Sequence, residues 1–153
     1  MKRIIIDGNN LLHKIPSLKA MHSSDKEGAA MALRDFVRSR YKGREKITFV
    51  FDGYGRNEGA GVIYSGKLTA DDIIRQMITE SRNGRDLIIV SSDTGITKLA
   101  RECSCTVIPS ESFAGDLSGK AASPAKGKNV NEIMEKPDRS TRKELEEYKK
   151  FFT

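Results

Sequence analysis

One recurring alternation limits what this chain can fold into more than any other feature. Short runs of β-branched and aromatic residues each end at an acidic, polar or glycine turn, and most are followed by a segment with helical period. The strand candidates are "KRIII" over Lys2–Ile6, "KITFVF" over Lys46–Phe51, a shorter "GVIYS" over Gly61–Ser65, "DLIIVSS" over Asp86–Ser92 and "CTVIP" over Cys105–Pro109. Lys2–Ile6 in particular reads as a strand buried on both faces. Strands of this kind that alternate with helices predict an α/β domain, a mostly parallel sheet flanked by helices.

The helices announce themselves by their caps. After a loop containing Pro16, Ser24 and Glu27 read as a capping box opening a helix through about Tyr41, with Ala29, Ala30, Leu33, Phe36 and Val37 on its apolar face. Thr69 and Asp72 form a second box, ahead of a stripe of Ile73, Ile74, Met77 and Ile78. A third helix is expected from about Thr94 to Cys103, burying Ile96, Leu99 and Ala100.

At 153 residues the chain is long enough to bury one core. The composition divides it into a domain over 1–114, a flexible basic linker over 115–137 ("GDLSGKAASPAKGKN") and a C-terminal helix over 138–153. That helix is opened by a Thr141/Glu144 box, and Leu145, Tyr148 and Phe152 are expected to dock it. No run approaches the roughly 18 apolar residues of a membrane span, and the N-terminus lacks a signal-peptide core. Two cysteines, Cys103 and Cys105, are too few for a disulfide framework and lack zinc-site spacing. A cytoplasmic location with reduced thiols is the expectation. The net charge of +6 attracts polyanions, nucleic acid first, although a merely soluble basic protein carries the same charge.

The placement of the acids sharpens that expectation. In open parallel sheets, ligands bind beyond the carboxyl ends of the strands. Asp7 follows the first strand, Asp52 the second and Asp93 the fourth, while Asp71 and Asp72 lie in the first turn after the third. Taken singly, each has a duller role: Asp7 as a strand-ending turn before Gly8, Asp52-Gly53 as a turn pair, Asp93 as a helix N-cap. Together they would share one edge. Two carboxylates about 4 Å apart repel by roughly 4 kcal/mol at an effective dielectric near 20, so a cluster calls for a cation. Oxygen ligands suit Mg²⁺ or Mn²⁺, whose bound water can attack phosphorus. Helix geometry puts Asp71 on the flank of the Ile74/Met77/Ile78 face and Asp72 nearly opposite, which favours Asp71 as the inward ligand.

"IIIDGNN", "FVFDG", "TADDII" and "IVSSD", in that order, resemble the NYN branch of the PIN-like ribonucleases, most of all bacterial YacP-like proteins, from Lys2 to about Leu117. The resemblance implies a PIN-like fold and a metal-dependent RNA phosphodiesterase. It implies that Asp7, Asp71, Asp72 and Asp93 hold Mg²⁺ or Mn²⁺ and that Asn10 supports the cluster or the phosphate. It thus credits Asp72 more than helix geometry does. Relatives often carry a further acid one turn after the last aspartate. Thr97 stands there instead, which leaves a thinner site that Asp52 would supplement.

The expectation is therefore an endoribonuclease with Asp7, Asp71 and Asp93 as catalytic metal ligands and Asp72, Asn10 and Asp52 in support. Lys67 and Arg56 are the candidate RNA-binding cations. RNA is the expected partner, with the ribosome or a degradation complex as a source of specificity. The rival reading keeps the fold and charge but neither metal nor catalysis, as an RNA-binding protein, and the missing acid at Thr97 is its best support. A small-molecule phosphatase would use the acids without the basic tail. "GVIYSGKL", Gly61–Leu68, brushes against a phosphate-binding loop, but Leu68 replaces the Ser/Thr that would ligate magnesium.

Overall fold

The isoleucines of the first strand anchor everything else. In the computed structural model, which describes residues 2–56, 59 and 61–119, Ile4, Ile5 and Ile6 are wholly buried. Each contributes roughly 2 kcal/mol of apolar burial, enough to hold the strand rigid as a platform for the residue after it. That strand, β1 (Arg3–Asp7), is the middle of a five-stranded sheet with β2 (Lys46–Phe51), β3 (Val62–Tyr64), β4 (Leu87–Val90) and β5 (Thr106–Ile108). The order is β3-β2-β1-β4-β5 and every pairing between these strands is parallel. Successive strands run outward from β1 in one direction and then the other. The reversal leaves a crevice between β1 and β4 at their carboxyl ends.

The pleat sends alternate residues into two separate cores. Ile4, Ile6, Phe49, Phe51, Ile88 and Val90 pack under α1 (Gly8–Leu12), α2 (Pro16–Ser24), α3 (Lys26–Arg40) and α6 (Ser110–Leu117). Ile5, Val50, Leu87, Ile89 and Val107 pack under α4 (Ala70–Glu80) and α5 (Thr94–Glu102). Strands covered on both sides must be apolar throughout, which is why their sequences lack alternation. Ile74, Ile78, Ile96 and Ala100 are buried as expected, while Ile73, Met77 and Leu99 pack at the margin.

The expectations need three local corrections. Ser24 does not cap a helix: it closes α2, its hydroxyl bonded back to the Met21 carbonyl at 3.2 Å, and Asp25 caps α3 by accepting from the Gly28 amide at 2.9 Å. The segment around Pro16 is helix rather than loop, because proline at the first helical position gives up an amide that would be unpaired anyway. Helix α6 continues through Gly115–Leu117, where composition starts the linker. The linker beyond residue 119, the C-terminal helix over 138–153 and its docking residues lie outside the described residues. Among the described residues no helix is long and apolar enough to cross a membrane.

Candidate active site

Strand β1 delivers Asp7 to the crevice, and its neighbours keep it there. Gly8 opens α1 immediately, and a side chain at Gly8 would run into the Phe51 ring. Its glycine serves this close approach, not a left-handed turn, since its φ is not positive. Asp7 is only 8 % exposed, and Oδ2 accepts from the buried Ser91 hydroxyl at 3.1 Å. Burial pushes its carboxyl up to about 6, against the lowering effects of the Ser91 hydroxyl and the Asn10 backbone amide. The negative charges of Asp52 and Asp93 push it further the same way, so both lie within electrostatic reach.

A groove of about 480 Å³ runs along this edge, with Asp7, Asp52, Asp71 and Asp93 on its walls. Most of these acids also hold backbone in place. Asp93 caps α5, accepting from the Ile96 amide at 3.1 Å. Asp52 accepts from the Ala70 amide at 2.7 Å, fixing the start of α4 against the end of β2. Asp71 pairs with Arg75 one turn on, Oδ2 to Nε at 2.7 Å. The Arg75 guanidinium lies against the first turn of α5, where a Cβ at Gly95 would collide with it. Asp72 does not line the groove. It completes the capping box with Thr69, in bonds of 3.1 Å each way. Thr97, at the position of the missing acid, is buried and bonds the Thr94 carbonyl at 3.3 Å.

Asn10 supports the edge by bracing it. Its Oδ1 accepts from the Ser92 amide at 3.0 Å and from the buried Ser110 hydroxyl at 2.6 Å, joining α1 to the end of β4 and the start of α6. Its neighbour Asn9, which sequence reasoning passed over, does the same on the other side: Oδ1 accepts from the Asp52 amide at 2.8 Å. Lys67 and Arg56 are exposed and do not line the groove. The cation on its wall is Lys14, 3.7 Å from Glu111. Lys14 and Ser91 were missed for different reasons. Lys14 sits in an unremarkable loop, whereas Ser91 was visible as the first small polar residue of "SSD", two positions before the Asp93 helix cap.

Among the described residues, no three acidic, histidine or cysteine side chains converge closely enough to form a metal cage. The donor chemistry still fits a hard cation. Mg²⁺ keeps several waters and is usually held by one or two carboxylates together with substrate phosphate. A buried carboxylate that resists ionisation, facing two more acids, is a place where a divalent charge is favourable.

The profile described as "YacP-like NYN domain" matches residues 4–152. The chain belongs to that family. Among solved structures, this YacP-like NYN chain is similar to Rae1 (YacP) from Bacillus subtilis, with a TM-score of 0.63 and 18% identity over 99% of this chain and 92% of that one. A mutant form of the same Bacillus subtilis protein gives a TM-score of 0.64 and 18% identity, over 93% and 89%. At that identity the likeness concerns the fold, an NYN/PIN-like sheet with helices on both faces. No curated protein matches the chain in sequence.

Proposed function

We propose that this YacP-like NYN protein is a metal-dependent endoribonuclease of the cytoplasm, cutting RNA to leave 5′-phosphate and 3′-hydroxyl ends. The observation that carries the reading is Asp7: a buried carboxylate at the crevice of the sheet, raised to about 6 and facing the charges of Asp52 and Asp93. Asp7 and Asp93, with Asp52 and Asp71 from the flanks, would hold Mg²⁺ or Mn²⁺. Bound there, the ion supplies a water of lowered pKa and offsets the charge that develops on phosphate. Ser91 orients Asp7 by donating to Oδ2 and braces Asp93 by accepting from its backbone amide at 3.1 Å. Asn10 and Asn9 lock the loops that carry the acids. Lys14 would attract the phosphate backbone. Asp72, committed to its cap, is placed in support only.

The family membership supports RNA as the substrate class. Choice of RNA would come from its structure or from a partner such as the ribosome or a degradation complex. The second reading, RNA binding without catalysis, draws on Thr97, on the Asp71–Arg75 pair and on the lack of a ready-made cage. Incubation of mixed cellular RNA with and without Mn²⁺, wild type beside Asp7→Asn, separates the two. Mn²⁺-dependent cuts with 5′-phosphate ends that vanish in the variant favour the nuclease. RNA retention without cuts favours the binding module.

A further inference from the structure

A second pocket, about 350 Å³, opens beside the acid groove and shares Asn9 and Asp52 with it. Its walls are chemically unlike the groove's. Phe51 and Tyr64, ring centroids 5.7 Å apart, line it together with His22, Lys26 and Glu27 from the α2–α3 corner. Tyr54 also lines the pocket and is 74 % exposed, one of three large apolar side chains left in solvent among the described residues.

That exposed ring is not on a loose loop. The Gly53 amide donates to Ser65 Oγ at 2.9 Å, the Gly66 amide to the Gly53 carbonyl at 2.7 Å and the Ser65 amide to the Phe51 carbonyl at 2.9 Å. Tyr54 is therefore presented on backbone strapped to the end of β3. Across the pocket, Asn9 fixes the histidine tautomer. Its oxygen already accepts from the Asp52 amide, so its NH₂ faces His22 Nε2 at 3.3 Å. A neutral ring that accepts at Nε2 carries its proton on Nδ1, leaving a donor there. Burial, with His13 and Lys26 nearby, lowers the His22 pKa, which favours the neutral ring.

We propose that this pocket is a nucleotide subsite, in which Tyr54 stacks the unpaired base next to the scissile phosphate and Lys26 faces that nucleotide's phosphate. The inference rests on the nuclease reading and assigns to this pocket the nucleotide next to the cut. Three observations point to this occupant. The pocket is continuous with the acid groove through Asn9 and Asp52, so a strand whose phosphate lies among the acids has a neighbouring nucleoside at the pocket's mouth. Its volume takes one nucleoside and not a duplex, so the base must leave its stack to enter. It also combines aromatic rings with a lysine, the pairing of stacking surface and cation that single-strand binders use.

The test is fluorescence anisotropy on the full chain in chelator, so that no cutting intervenes. The probe is a labelled single-stranded RNA of about ten nucleotides, compared with the same sequence fully paired. Tyr54→Ala is expected to weaken single-strand binding on the order of tenfold and leave duplex binding unchanged, while Tyr54→Phe, which keeps the stacking ring, binds like wild type. The substituted side chain is exposed, so these variants should fold. Equal single-strand affinity for wild type and Tyr54→Ala overturns the proposal, as does an equal loss on both probes or no wild-type binding to the single strand. Failure of the nuclease reading would look different: Tyr54-dependent binding would persist, but wild type with Mn²⁺ would make no cuts.

Discussion

At the scale of single residues, Asp7 and Asn10 make opposite contributions to stability. The Asp7 carboxyl is raised to about 6 in the folded chain, above its value in an unfolded one. The folded state therefore binds the extra proton between about pH 4 and 6, and stability falls as pH rises through that window. Above it the penalty is complete, about 3 kcal/mol. Asp7→Asn should remove it. In urea unfolding without divalent ions, the variant should be more stable than wild type at pH 8 by up to that amount and no more stable near pH 3. Equal stability at pH 8 would mean that Asp7 is not held against its charge. Asn10→Ala should do the reverse. It strips the partner from the Ser110 hydroxyl, which is wholly buried, and from the Ser92 amide, at a cost of about 2 kcal/mol in the same titration. Asp7 was legible only together with Asp52 and Asp93. A lone carboxylate after a buried strand is as well explained by a turn, whereas acids after three parallel strands share one edge. The bracing by Asn10 was hidden, since its partners lie 82 and 100 positions away along the chain.

At the scale of elements, α4 carries a disagreement that experiment can resolve. Its first turn offers Asp71 to the groove and Asp72 to the cap, as the helical period requires. Yet Asp71 is already occupied by Arg75. If Asp71 holds the ion, the guanidinium competes with it, and Arg75→Ala should tighten Mn²⁺ binding several-fold by calorimetry. Unchanged affinity would remove Asp71 from the ligand set. Asp72→Ala, which leaves the Thr69 amide without its side-chain acceptor, should lower stability by about 1 kcal/mol with Mn²⁺ affinity intact. This helix was legible because a capping box followed by a strong apolar stripe has one interpretation. The short helices were not. α1 has five residues, too few for periodicity to register, and α6 is rich in Ser and Gly, so its burial of Phe113 and Leu117 comes from tertiary packing and not from propensity.

At the scale of the whole molecule, the parallel order β3-β2-β1-β4-β5 turns separate turn-forming acids into one edge. The alternation of strands and helices predicts that edge, but which acids lie nearest Asp7 depends on packing across the sheet. That is why Asp52 and Asp93 bear on it more directly than Asp71. The same scale governs affinity for RNA. The chain carries a net charge of +6 despite an acidic groove, so its attraction to a polyanion must come from cations elsewhere. Lys14 is on the groove wall, and the sequence over 118–129 adds Lys120, Lys126 and Lys128 with no other charged residue among them. Each lysine that neutralises a phosphate on a single strand adds about 0.7 to the slope of log affinity against log salt. Changing those three lysines to Gln should therefore flatten the slope by about 2 and weaken binding at low salt, while Mn²⁺ binding to the acids stays the same. A slope that does not move would confine RNA contacts to cations other than these three lysines. A slope that falls while cleavage per bound RNA is constant would assign capture to the basic segment and chemistry to the edge.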